Sequence, residues 1–193
     1  MKLYLSIISI CSLIIAAIVA LCYETSFLLT LGLVVFAVVI EILIDAMVAT
    51  FARLLPKKCA DYRRKIYRVS AKEKRFYEKL KIRLWKDKIP EIGHFTGFRK
   101  NKLLNPKSVE YVERFLMESC YGELGHFFSL PLGFLVMLLF PISNTWIAIS
   151  IPVAIVNFLL NAPTIFVLRY NSYKLVILRN SNAKKQESQR EIA

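Results

Sequence analysis

At 193 residues the chain has the length of one domain. It is 56% hydrophobic yet carries a formal net charge of +13, which excludes an ordinary soluble globule. Both values can hold only if apolar and basic residues occupy different stretches, and they do.

Residues 3–22 contain no charge and match the roughly 20 residues a spanning helix needs. Lys2 before that run also fits a signal peptide. The run is long for one, however, and Leu21 stands before Cys22 where lipoprotein-type cleavage wants a small residue, so an uncleaved helix is expected. The turn "YETS" leads into a second span, 27–50, which carries Glu41 and Asp45. Residues 51–123 hold 20 Lys/Arg against 9 Asp/Glu. In this basic segment Tyr62, Ile66, Val69, Phe76, Leu80 and Leu84 follow helical spacing, which predicts an amphipathic helix lying on anionic headgroups. No nucleic-acid motif accompanies the charge, so no nucleic-acid partner is expected. Pro90 should end that helix, and "PEIGHFTGF" should form a loop holding His94 between two glycines. Asn105 and Pro106 then suit a helix start, and the helix should continue past Glu118 and Glu123 into a third span, 122–141. A turn at "PISN" leads to the fourth span, 145–168, followed by a basic tail, 169–193.

The expected fold is therefore an all-α membrane protein of four transmembrane helices forming a single domain. The basic segment 51–121 lies between helices two and three. Positive loops stay in the cytoplasm, so both termini and that segment are expected there, in a multi-pass cell membrane protein. Cys11, Cys22, Cys59 and Cys120 show no ligand spacing, and with Cys11 expected in the bilayer and Cys59 in the cytoplasm no disulfide framework is expected.

Polar residues recur at one depth. Glu41 falls about 21 Å and Asp45 about 27 Å along the second span at 1.5 Å rise per residue. His126 lies about one turn inside the third span, and Glu123 shares its helix face. Asn157 and Asn161 are one turn apart in the fourth span, which Arg169 closes. Ionisable groups inside a bilayer are functional candidates, because inserting them is costly. A histidine oriented by a carboxylate can take a proton from a hydroxyl, so His126 reads as a general base and Glu123 as its orienter. At a lipid boundary that suits acyl transfer from a cytoplasmic thioester, acyl-coenzyme A or acyl-carrier protein, to a lipid-linked alcohol, with no cofactor. A covalent route through Cys120 or Ser129 stays open, although no G-x-S-x-G elbow surrounds either. Three alternatives remain: a non-catalytic scaffold or lipid-binding subunit, a proton pathway through Glu41 and Asp45, and a metal-dependent enzyme using Glu41, Asp45, Glu123 and His126. The last has one Glu-x-x-His pair where di-iron bundles need two, so no metal is expected.

Three stretches, "IRLWKDKIPEIG", "ERFLMESCYGELGHFFSLP" and "NAPTIFVLRYNSYKL", resemble the glycosyl-4,4'-diaponeurosporenoate acyltransferases over residues 82–175. These small bacterial membrane enzymes esterify the sugar of a glycosylated carotenoid acid with a fatty acyl chain. The matching residues are Arg83, Trp85, Lys86, Lys88 and Ile89, then Glu113, Glu118, Glu123, Leu124, His126 and Ser129. Asn161, Pro163, Val167, Arg169, Tyr170, Asn171 and Leu175 complete the set. The resemblance implies a substrate site drawn from Arg169, Tyr170, Asn171, Asn161, Trp85, Lys86, Glu118 and Ser129, around the catalytic His126 and Glu123. Arg169, Trp85 and Lys86 would hold the donor's phosphate or the sugar, while Glu41, Asp45 and His94 are accessory candidates. Leu168, Ser172 and Tyr173 stand where the family pattern has glutamine, arginine and proline. The resemblance thus supports acyl transfer more than it supports a carotenoid acceptor.

Overall fold

The structure is a computed structural model describing residues 2–89, 103–139 and 144–192. Expectations for Pro90, the His94 loop and the turn at 141–143 fall outside these residues. Among the described residues the fold is all α, with no strand. Four helices are long and apolar enough to cross a membrane. Their outward faces carry Leu5, Ile10, Leu21, Leu28, Leu29, Ile42 and Leu159, all exposed. Such a surface suits hydrocarbon rather than water.

Helix α1 (Lys2–Cys22) turns into α2 (Phe27–Leu54) through Glu24, whose φ of 51° lets Thr25 N–H reach the Ala20 carbonyl at 3.0 Å. Helix α2 outruns its expected end at 50 because nothing stops it before Pro56, which disfavours helix in the residue ahead of it.

The single amphipathic helix expected after it is a series of short pieces. Turns of 3-10 helix at Lys57–Ala60 and Lys65–Tyr67 precede α3 (Ala71–Lys79), α4 (Ile82–Trp85) and a last 3-10 turn at Lys86–Lys88. Local side-chain bonds compete with helix continuation. Asp61 accepts the Arg63 N–H at 2.9 Å, and the Ser70 hydroxyl accepts the Glu73 N–H at 3.1 Å. Lys81 then adopts φ 51°, breaking α3 from α4.

Helix α5 (Val109–Leu132) starts at Ser108 rather than Asn105. The Ser108 hydroxyl accepts the Tyr111 N–H at 3.1 Å and lies 2.9 Å from Glu110, whereas the Asn105 carbonyl only closes a turn onto Ser108 N–H. The helix is continuous through Glu118, Glu123 and His126. Pro131 lies within it, and a 3-10 turn at Gly133–Leu135 leads to α6 (Val136–Leu139).

Helix α7 (Asn144–Ile192) runs 49 residues, so the basic stretch after 168 continues the helix of the fourth span. No glycine or proline follows Pro163, and the late residues are rich in Lys, Arg, Gln and Glu, all good helix formers. Pro163 removes a backbone donor within the helix. One turn earlier the Leu160 carbonyl accepts the Thr164 hydroxyl at 3.4 Å and the Tyr4 hydroxyl at 3.1 Å.

The chain divides into two compact units. The first comprises Met1–Ala52 with Leu124–Thr164, and the second Arg53–Glu123 with Ile165–Ala193. The first is built on Ala16, Val34, Ala37, Ile44, Trp146, Ile149 and Val153, and the Trp146 indole donates to the Val136 carbonyl at 3.2 Å. In the second, Tyr77, Ile82, Val167 and Tyr170 form one core cluster, and Val112, Phe115, Leu116 and Leu175 another.

Candidate functional site

In the first unit, α2, α5 and α7 each contribute polar side chains to one hydrogen-bonded cluster. Asn157 Nδ2 donates to Glu41 Oε2 at 2.9 Å and lies 3.4 Å from Asp45 Oδ1. Asn161 Nδ2 faces Asp45 Oδ2 at 3.1 Å, Asn157 Oδ1 at 2.9 Å and the Asn157 carbonyl at 3.1 Å. Glu41 is only 3% exposed, and its other oxygen, Oε1, is buried with no hydrogen-bond partner.

The cluster fits because the facing residue is glycine. A Cβ at Gly133 would stand 2.9 Å from Asn157 Nδ2 and 3.0 Å from Glu41 Oε2, closer than contact allows. Both atoms end side chains, but each is already held by hydrogen bonds. Gly133→Ala is therefore expected to force Asn157 off Glu41 and to cost about 1–3 kcal/mol, as overpacking does. A detergent melting curve checks this, and an unshifted midpoint would mean the cluster yields freely. At Gly125, by contrast, a Cβ would meet the Ala49 backbone of α2 at 3.7 Å, an ordinary contact.

His126 is tied to this cluster through its ring. Nδ1 lies 2.6 Å from Asn161 Oδ1. The Asn157 backbone carbonyl accepts only, so Asn161 must turn its amide nitrogen toward it and its carbonyl oxygen toward the imidazole. Nδ1 consequently carries the proton in the neutral ring, and Nε2 is left as the basic nitrogen. His126, Asn161 and Asp45 form a chain of base, orienting amide and carboxylate.

The second unit holds a different constellation. Arg169 donates from Nη1 to Glu123 Oε1, from Nη2 to Glu73 Oε2 at 3.1 Å and from Nη1 to the Ile66 carbonyl at 2.9 Å. Its Nε also meets Glu73 Oε1, so Glu73 is gripped by two nitrogens. Burial acts to raise the Glu73 pKa, but hydrogen bonds from Arg169 and then Tyr77 outweigh it and hold the carboxyl below its ordinary value. The Tyr77 phenol is raised, by burial first and then by its bond to Glu73. Glu123, expected beside His126, is thus paired with Arg169, while His126 takes Asn161. A guanidinium offers a charged, forked donor set that suits a carboxylate better than one imidazole N–H does.

The remaining predicted residues are spread more widely. Trp85 packs on the Tyr77 cluster and donates its indole N–H to the Leu80 carbonyl at 2.9 Å. Lys86 is half-buried at the start of the last 3-10 turn. Tyr170 is buried under Lys174, whose ammonium lies 4.5 Å from the ring centre, and Asn171 is half-buried. Glu118 accepts from Arg53 at 2.9 Å, and Ser129 is buried in the first unit. His94 lies outside the described residues. Sequence reasoning missed Glu73, the grip on Arg169, although its place three residues after the capping Ser70 marked it as a helix-start acid. It missed Gly133 as well. All four cysteines are free, and among the described residues no group of three or more His, Cys, Asp or Glu is arranged to hold a metal ion.

With that geometry in view, residues 60–181, more than half of the chain, match the family described as glycosyl-4,4'-diaponeurosporenoate acyltransferase. The match covers His126, Asn161 and the Glu73–Arg169–Glu123 set. Neither a curated protein nor a solved structure matches the chain.

Proposed function

The chain belongs to the glycosyl-4,4'-diaponeurosporenoate acyltransferase family, and on that premise we propose that it moves a fatty acyl group from a cytoplasmic thioester to a hydroxyl of a lipid-linked, glycosylated acceptor. The observation that carries the chemistry is the 2.6 Å bond from His126 Nδ1 to Asn161 Oδ1, which leaves Nε2 as the base. His126 Nε2 takes the acceptor's hydroxyl proton as the oxygen attacks the thioester carbonyl. The new C–O ester bond forms and the C–S bond breaks. The departing thiolate takes the proton back from the imidazolium, so the enzyme ends unchanged. Asn161 fixes the ring, and Asp45 beyond it supplies negative charge that favours the transient imidazolium.

Arg169 reads as a strut rather than a phosphate ligand, because Glu73, Glu123 and a carbonyl occupy four of its five N–H donors. Contact with the anionic carrier and with anionic headgroups falls to the exposed cations of the basic segment, with both termini on the cytoplasmic side. The rival reading, a non-catalytic scaffold, takes the same amide–carboxylate bonds as glue between helices. Mass spectrometry of lipids from cells with and without the chain separates the two. A glycolipid heavier by one fatty acyl unit is expected only with the chain, and identical lipid profiles would refute acyl transfer.

A further inference from the structure

A partly open cleft lies in the first unit between α1, α2 and α7. Ile8, Cys11, Ile15, Val38, Ile42 and Val156 give it apolar walls, and Ser12, Glu41 and Asn157 supply polar groups in them. The Glu41 carboxyl is the same one whose Oε1 lacks a partner while Oε2 is held by Asn157. Buried polar atoms in native proteins are nearly always satisfied, so an orphan oxygen lining an open apolar cleft points to a missing hydrogen-bonding group.

The chemistry narrows that group. An ionised carboxyl needs a donor, and a protonated one needs an acceptor; a hydroxyl serves either state, whereas an amide N–H or an ester carbonyl serves one. A fatty acid or phosphate would bring negative charge against Glu41 and Asp45, at a cost that rises steeply away from water. A thioester-bound acyl chain offers no donor. We infer that this cleft receives the acyl acceptor, a neutral long-chain lipid with more than one hydroxyl, its chain along α1 and α7 and, on Glu41 Oε1, a hydroxyl other than the one acylated. The identification of the occupant as the acceptor rests on the acyl-transfer reading; the preference for a neutral hydroxylated lipid does not.

The test is photolabelling of the full chain in nanodiscs with a diazirine-tagged long-chain alcohol, followed by peptide mapping. Competitors are hexadecanol, its methyl ether and palmitate. Label is expected on cleft-lining peptides of α1, α2 and α7, with hexadecanol competing at about tenfold lower concentration than the ether, as suits a hydrogen bond that the ether cannot donate. Palmitate should compete more weakly still. Cys11→Trp, which fills the cleft, should remove the label, and Glu41→Leu should erase the difference between alcohol and ether. Label elsewhere, or an ether as effective as the alcohol in the unaltered chain, would overturn the inference; the latter would mean that no hydroxyl donates to Glu41. Labelling is read in the absence of acyl donor. Selective labelling without any acylated product would therefore remove the acyl-transfer reading alone, and acyl transfer without labelling would remove this inference alone.

Discussion

His126→Ala is expected to lower acyl transfer by about 10²–10⁴-fold, the usual contribution of a positioned general base. Membrane insertion should be unchanged, because the ring accounts for only one of the bonds in its cluster. Asn161 would keep Asp45 and Asn157, and Asn157 would keep Glu41. The loss should appear in kcat rather than in KM, since the imidazole acts on a proton in flight. His126→Gln restores hydrogen bonding to Asn161 but has no basic nitrogen, so it should be as inactive as the alanine variant. Asn161→Leu provides the complementary case. It keeps the imidazole but frees Nδ1 from Oδ1, and activity should fall through misplacement and the wrong tautomer rather than loss of the base. Radiolabelled acyl transfer in membranes measures all three. Near-parental turnover in His126→Gln would end the general-base assignment.

The four apolar helices were plain in the sequence because hydrocarbon demands long uninterrupted runs, and such runs are not subtle. The polar cluster was legible for the same reason. Glu41, Asp45, His126, Asn157 and Asn161 stand out where almost nothing else is charged or carries an amide, and rise per residue brought them to similar depth. Their partners were not legible. Glu123 and His126 share a helix face, which suggested a pair, but sharing a face says nothing of what stands opposite. Opposite Glu123 is Arg169, 46 positions on, and opposite His126 is Asn161, 35 positions on. The basic segment misled in another way. Its apolar spacing fitted a helix, while Asp61, Ser70 and Lys81 set turns that interrupt it. Gly133 gave no sequence signal at all, since its role depends on two side chains from α2 and α7 meeting at its Cα.

Arg169→Leu carries the largest expected effect on stability. It would leave Glu73 and Glu123 without the cation that both share, and stranding a partly buried charge costs about 3–5 kcal/mol. A melting midpoint in detergent lowered by many degrees is the expected result. Arg169→Lys retains the charge but cannot grip Glu73 with two nitrogens while reaching Glu123, so it should fall between the parent and leucine. The pH dependence identifies the source. The folded-state pKa of Glu73 lies below its ordinary value of 4.5, so the folded chain binds that proton less readily than the unfolded chain does. Its stabilising contribution is then fully present above pH 4.5 and is lost as pH falls through the depressed folded value. In the leucine variant that lowering disappears, and the decline in stability below pH 4.5 should be shallower than in the parent. Turnover measured well below the melting point separates strut from ligand. A strut predicts an Arg169→Lys enzyme with parental KM for the acyl donor, whereas a sharply raised KM would make the guanidinium a donor-binding group after all.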